Sequence, residues 1–233
     1  MRKKIALILA GGIGQRMDSS LPKQFIKVNN KPIMIHTLEK FQSCSEIDSI
    51  VIVCLKDYVP LLEEYINIYS ITKLEKIVHG GKNAMYSILN GLEYIRNMYN
   101  DDDLIIIHES VRPLINQEII LDSLRIASIY HSAISAIPCY EGIMYSTDGK
   151  TSDTLLGAQE VFRDSLPNSF SVDYIYKLYC KGKEQGILEL YSSTTPLMRD
   201  LKEKFYFSKG SVDNFKITTQ DDLKRFEAFL NVK

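Results

Sequence analysis

"KIALILAGGIGQRM", residues 4–17, decides the fold. Ile5–Leu9 is an unbroken apolar run that ends in Gly11-Gly12, with a third glycine at Gly14 and a cation at Arg16. A short run apolar on both faces reads as a strand of a parallel sheet covered by helices on each side. The loop behind it, through residue 25, carries two cations, Arg16 and Lys23, against one carboxylate, Asp18. Such a loop suits a chain of phosphates. Glycine permits close backbone approach and the φ > 0 turns of an anion-binding nest. A P-loop is excluded, because Gln15 and Arg16 follow Gly14 where Lys and Ser or Thr are needed. A dinucleotide fingerprint fits poorly: the third glycine of that motif is missing, and the second strand, ending at Cys54, has no acidic residue at its tip. On these residues alone, a plain glycine turn with solvated cations remains open.

Working outward, "SIVIVC" (49–54) and "DLIIIH" (103–108) repeat the buried-strand pattern. Helical periodicity occupies about 33–43, 58–69, 83–99 and 116–130; in the third, Ile88, Leu92 and Ile95 recur at i, i+4, i+7. This βαβαβα order predicts an α/β, doubly wound, mostly parallel sheet. The pattern changes at "AISAIPCYEGIMYSTDGKT" (133–151), where two extended runs and the turn dipeptide Asp148-Gly149 predict a projecting β-arm over about 138–170. Helices at about 172–184 and 219–231 return the chain to the core. With no linker or internal repeat, one domain spanning 1–233 and carrying the arm is expected.

Bulk properties narrow the classes. A net charge of −1 over 233 residues argues against general affinity for nucleic acid, so any cationic function is local. No apolar run approaches the roughly 20 residues of a membrane span. The basic start, Met1-Arg2-Lys3-Lys4, is followed by an apolar stretch that breaks at Gly11-Gly12, as a strand does and a signal sequence does not. Four scattered cysteines without a CxxC and four histidines without an HExxH give no zinc or disulfide framework, and reduced thiols in a cytoplasmic protein are the expectation.

"LAGGIGQRM…PKQF", with "KPIMIHTLEKF" (31–41) behind it, resembles the signature of cytidylyltransferases with a GT-A-like, Rossmann-like nucleotidyltransferase fold. Over nearly its whole length the chain is most similar to the family of 2-C-methylerythritol 4-phosphate cytidylyltransferase and its ribitol 5-phosphate relatives. The resemblance implies that CTP is joined to a polyol phosphate with release of pyrophosphate, that Mg²⁺ assists, and that a homodimer forms in which the arm embraces its neighbour. It places Ala10, Gly11, Gly12 and Gly14 around the nucleotide, with Arg16 and Lys23 stabilising charge during transfer. In "HGGKNAMYSILNGL" (79–92) it assigns cytosine recognition to Gly80 and Ser87. In "IIIHESVRPLI" (105–115) Glu109, at a strand tip, becomes the Mg²⁺ ligand, and Arg112 turns toward the same crevice. In "KGSVDNFKITTQDDL" (209–223) Lys216 holds the acceptor phosphate, while Thr219 and Asp222 make a helix-start box.

Departures from the family pattern concentrate on the acceptor side. One departure, Ala84 in place of the family's arginine, falls in the cytosine-recognising stretch; the others include Glu109 where the family has aspartate and Glu141-Gly142 where it has Asp-Thr. "RDSLPNSF" (163–170) keeps Pro167 and Phe170 of a Gln-Thr-Pro-Gln-like run, and "SSTTPL" (192–197) lacks a carboxylate. The family's phosphate-clasping arginine falls near Ala158-Gln159, which leaves Arg163 to supply the clamp or the acceptor to differ. A polyol phosphate destined for cell-surface polysaccharide therefore moves ahead of methylerythritol phosphate. A sugar-1-phosphate nucleotidyltransferase using another NTP and a non-catalytic nucleotide-binding paralogue are the remaining alternatives.

Overall fold

A computed structural model describes residues 2–12, 21–158 and 160–231. Strand β1 (Lys4–Ala10) is an interior strand of a seven-stranded sheet. The chain then forms the small β2 (Lys27–Val28) and β3 (Lys31–Pro32) pair, helix α1 (Ile33–Gln42), β4 (Ser49–Cys54), α2 (Val59–Ile68) and β5 (Leu74–His79). Next come α3 (Ala84–Met98), β6 (Leu104–Glu109), α4 (Gln117–Tyr130) and β7 (Ser132–Pro138). An arm hairpin follows, β8 (Ile143–Tyr145) with β9 (Thr154–Leu156), and the chain continues through β10 (Phe162–Ser171), α5 (Val172–Glu184), α6 (Thr194–Asp200), β11 (Phe207–Lys209) and α7 (Gln220–Asn231). The main sheet has the order β11-β7-β10-β6-β1-β4-β5. β10 runs antiparallel to both β6 and β7, and the other described pairings are parallel.

The central strands divide their side chains between two cores with period two. Ala6, Ile8, Ile50, Ile52 and Ile106 pack with Leu38, Phe41, Leu62 and Leu124 from α1, α2 and α4. Ile5, Leu7, Val51, Val53, Ile105 and Ile107 pack on the other face with Met85, Leu92, Ile175 and Leu197 from α3, α5 and α6. Each such buried aliphatic side chain contributes roughly 1.5–3 kcal/mol, which is why the continuous apolar runs were decisive. Gly91 lets α3 sit close to the sheet: a Cβ there would stand 2.6 Å from Leu7 Cδ1.

The helices fall where periodicity placed them, but three features differ. β5 was missed because it is an edge strand of mixed polarity, "LEKIVH", without a buried run. β11 and α6 are too short, at three and seven residues, to carry a period. The arm is also shorter than 138–170. Residues from Phe162 onward belong to the main sheet, where β10 pairs with β6 and β7 and buries Asn168–Ser171. The separate hairpin is confined to residues between β7 and β10. Proline and polar residues in "RDSLPNSF" hid a central strand that carries an irregularity between Asp164 and Asn168.

Candidate active site

β1 is where the strand order reverses: the chain moves outward through β4 and β5, then crosses back to β6 on the other side. Ligands of open α/β sheets bind at such a point, beyond the carboxyl ends of the strands. A cavity of about 720 Å³ opens there, floored by Leu9 and Ala10 of β1, Val53 of β4 and Glu109 of β6. Gly11, Gly12, Lys23, Ser87 and Lys216 all line it, so residues scattered over more than 200 positions converge on one crevice. Its size suits a mononucleotide.

The loop after β5 forms one wall. Asn83 caps α3, its Oδ1 accepting from Tyr86 N at 3.0 Å. Ser87 Oγ donates to Asn83 O at 2.8 Å and accepts from Gly81 N at 3.0 Å, tying the glycine pair to the first turn of the helix. The same Oγ would lie 3.6 Å from a Cβ on Gly11 and 3.4 Å from one on Gly80, so it is the meeting point of both glycine loops. Gly80, expected at the base, does not itself line the cavity; its N–H donates to Cys54 O at 2.9 Å, and Gly81 takes the lining position. Gly81 is the position that must be glycine, since a Cβ there would come within 2.6–2.9 Å of Tyr86 atoms, two of them backbone. Neither Gly11 nor Gly12 takes a positive φ, so the left-handed turn expected of the nest is not made by them. Gly14 and Arg16 lie outside the described residues.

Gln24, not singled out by its motif, shapes the glycine loop. Its Nε2 donates to Ala10 O at 2.8 Å and to Gly12 O at 3.1 Å while buried in a turn of 3-10 helix, Lys23–Phe25. Lys23 Nζ donates to Ile217 O at 2.9 Å, and Ile217 N in turn donates to Val111 O. The closing segment is thereby strapped across the mouth of β6. A glutamine beside a signature lysine gives no sequence signal of its own. What marks it is a buried amide facing two strand-end carbonyls.

Glu109 is engaged on both oxygens. Lys216 Nζ donates to Oε1 at 2.5 Å, Arg112 Nε donates to Oε2 at 2.7 Å, and Arg112 Nη1 also donates to Asn214 O at 2.9 Å. Burial works to raise the Glu109 carboxyl, but Lys216 and Arg112 outweigh it and hold the group below its ordinary value. Behind it His108 is fully buried, its Nε2 at 3.2 Å from Arg112 O, and burial lowers its pKa to about 3, so the ring is neutral at working pH. A carboxylate already holding two cations does not fit the expected role of Mg²⁺ ligand. Among the described residues no cluster of three or more His, Cys, Asp or Glu side chains could hold a metal.

A second, smaller cavity of about 260 Å³ adjoins the first, sharing Leu9, Glu109, Ser192 and Lys216 with it and adding Arg112, Asp164 and Thr195. Lys216 faces both cavities and Arg112 the smaller one. Arg163, the expected acceptor clamp, does not line either. It is exposed at the start of β10 opposite Ile137, because strand alternation sends it away from the face that Asp164 presents. Ala84 lines the larger cavity in the place of the family arginine.

Comparison with known proteins agrees with this geometry. A family model, "IspD: 2-C-methyl-D-erythritol 4-phosphate cytidylyltransferase", matches residues 4–232. A ribitol-5-phosphate cytidylyltransferase of Lacticaseibacillus paracasei is 34% identical over 98% of both chains. A 2-C-methyl-D-erythritol 4-phosphate cytidylyltransferase of Clostridium botulinum is 34% identical over 96% of this chain and 95% of its own. The crystal structure of 4-diphosphocytidyl-2C-methyl-D-erythritol synthase from Anaerococcus prevotii superposes with a TM-score of 0.83 at 23% identity, covering 99% of this chain and 96% of that one, and shares its fold. The switch-point crevice, the strapped glycine loop and these matches lead to one conclusion: the chain belongs to the IspD family of cytidylyltransferases.

Proposed function

We propose that this chain transfers CMP from CTP to a pentitol phosphate of the ribitol 5-phosphate class, with release of pyrophosphate. The observation that carries the proposal is the pair of cavities meeting at Lys216: one of mononucleotide size, the other sized for a small polyol phosphate. In the reaction an oxygen of the acceptor phosphate forms a bond to the α-phosphorus of CTP. The bond from that phosphorus to the bridging oxygen breaks, and pyrophosphate leaves with the electron pair. The acceptor oxygen is already anionic, so positioning and charge stabilisation are what the protein must supply.

Each group has a role on that basis. Ala10, Gly11, Gly12 and Gly14 bring the backbone close to the triphosphate, while Ser87 faces the base. Lys23 and Arg16 stabilise charge on the α-phosphate and on pyrophosphate. Lys216, at the junction of the cavities, draws the two reacting phosphates together, and Arg112 orients the acceptor. A Mg²⁺ accompanying CTP would be carried by phosphate oxygens, consistent with its preference for phosphates and water; none of the roles given to this chain's residues runs through it. Ala84 leaves cytosine selection to backbone groups and Ser87.

A homodimer formed through the arm is part of the proposal. Tyr140, Met144, Tyr145 and Leu155 are all exposed on or beside the hairpin, an apolar surface that a second copy would cover. Among the described residues no helix is long and apolar enough to cross a membrane. A cytoplasmic location accords with a nucleoside triphosphate donor. The product, a CDP-polyol, suits supply of cell-surface polysaccharide. A second acceptor, 2-C-methyl-D-erythritol 4-phosphate, is favoured by the family model and the Clostridium relative. Pyrophosphate release from Mg²⁺ and CTP, measured with ribitol 5-phosphate and with 2-C-methyl-D-erythritol 4-phosphate separately, decides between them. UTP in place of CTP tests the base, and silence with every pair refutes the transferase assignment.

A further inference from the structure

We infer that Asp164, with Thr195, is the specificity-determining element of the smaller cavity, a hydroxyl-reading pair that selects an alditol phosphate over a phosphate bearing a carbonyl or a second anion. The inference rests on the proposed cytidylyl transfer and adds to it the chemistry that the acceptor's carbon chain must present.

Asp164 sits where β10 leaves its ladder. Its pairing with Ala136 and that of Asn168 with Ile134 span four residues on β10 against two on β7. A bulge of this kind re-aims side chains. Here Asp164 and Ser165, on one side of the irregularity, and Asn168, on the other, all line the same cavity. The bulge is held from outside by Asn214, whose Nδ2 donates to Leu166 O at 2.7 Å. Asn214 O also accepts from Arg112 at 2.9 Å, so one residue fixes both the acidic and the cationic side of the cavity.

The carboxylate is positioned by the loop before α6. Thr195 Oγ1 donates to Asp164 Oδ2 at 2.5 Å, and the Ser165 backbone N–H and the nearby Arg112 charge also act on the carboxylate. Among the described residues Asp164 forms no ion pair, in contrast to Glu109 in the same cavity, which holds two cations. The cavity therefore has two chemically different parts. Arg112 and Lys216 offer positive charge to a phosphate. Asp164 offers a negative acceptor to hydroxyl hydrogens. A polyol phosphate presents that combination, an anion at one end and hydroxyl donors along the chain. A ketose phosphate puts a carbonyl oxygen where the alditol has a donor, and two acceptors then face each other. Such a mismatch loses the hydrogen bond that the site is shaped to make, and a site built to bond a substrate hydroxyl discriminates against an analogue without it.

The test compares wild-type protein with Asp164→Asn and Thr195→Val, using CTP, Mg²⁺ and four acceptors: ribitol 5-phosphate, 2-C-methyl-D-erythritol 4-phosphate, ribulose 5-phosphate and glycerol 3-phosphate. Asp164→Asn should raise KM for the preferred polyol phosphate about 10–100-fold, the range of a hydrogen bond to a charged group, with KM for CTP changing less than twofold. The preference for ribitol 5-phosphate over ribulose 5-phosphate should narrow at least tenfold, because a carboxamide N–H can donate to a carbonyl. Thr195→Val should shift the acceptor KM in the same direction by about threefold or more, and it carries the test if Asp164→Asn fails to fold by circular dichroism. An acceptor KM within twofold of wild type in a folded variant overturns the role of Asp164 while leaving cytidylyl transfer intact. Wild-type protein that releases no pyrophosphate with any of the four overturns both.

Discussion

Glu109→Gln removes one charge and nearly nothing else, which makes it the sharpest test of how the site is held together. In the native protein the two Glu109 oxygens accept from Lys216 and Arg112, one cation to each. The side chains are 21%, 38% and 18% exposed for Glu109, Lys216 and Arg112, between surface and interior. A fully exposed pair contributes about 0–1 kcal/mol, and stripping a partner from a buried pair costs about 3–5 kcal/mol. An intermediate site with two partners gives about 1–3 kcal/mol. For a chain of this length each kcal/mol moves Tm by about 2–4 °C, so thermal unfolding followed by circular dichroism should show a fall of about 3–10 °C at neutral pH. Glu109 is held below its ordinary value of 4.5. Its contribution is therefore complete above that pH and is lost as pH falls through the lower folded value, where the wild-type and variant curves should converge. A double-mutant cycle with Lys216→Met should give a coupling of about 1 kcal/mol. An unchanged Tm together with a coupling below about 0.5 kcal/mol would refute the idea that Glu109 anchors the two cations.

Lys23→Ala should lower turnover by about 10²-fold or more, the cost of removing one stabilising group at a developing anion; steady-state pyrophosphate release checks it, and near-native turnover removes Lys23 from the transfer step. Gln24→Ala leaves Ala10 O and Gly12 O without their donor and should destabilise by about 1–3 kcal/mol while raising KM for CTP, measured by urea unfolding and kinetics on the same preparation. His108, lowered to about 3 by burial, binds no proton in the folded state between its unfolded value of 6.5 and that pH. Stability should therefore fall as pH drops below 6.5. Since burial also lowers His36, the measurement is the difference in slope between wild type and His108→Gln, up to about one proton.

The amino-acid sequence alone determined the layered α/β architecture and the strand tip at which ligands gather. Runs such as Ile5–Leu9 and Ser49–Cys54 are apolar on both faces, and period-2 burial between two helix layers is the arrangement that satisfies them. The glycine loop, Lys23, Ser87 and Lys216 were also legible, as motif residues whose local chemistry suits phosphates and a nucleotide. Tertiary structure decided what those residues do to one another. That Lys216 spends its charge on Glu109, 107 positions away, is set by how the closing segment crosses β6. That Gln24 shapes the nucleotide loop depends on two carbonyls brought to it by the end of β1. Arg163 and Asp164 are neighbours in sequence, and only the arginine was marked there for the acceptor phosphate. The pleat of β10 and its irregularity send them to opposite sides, and only the carboxylate reaches the cavity. Local pattern reports burial and backbone preference, whereas the partner of a charge is fixed by contacts between segments remote along the chain.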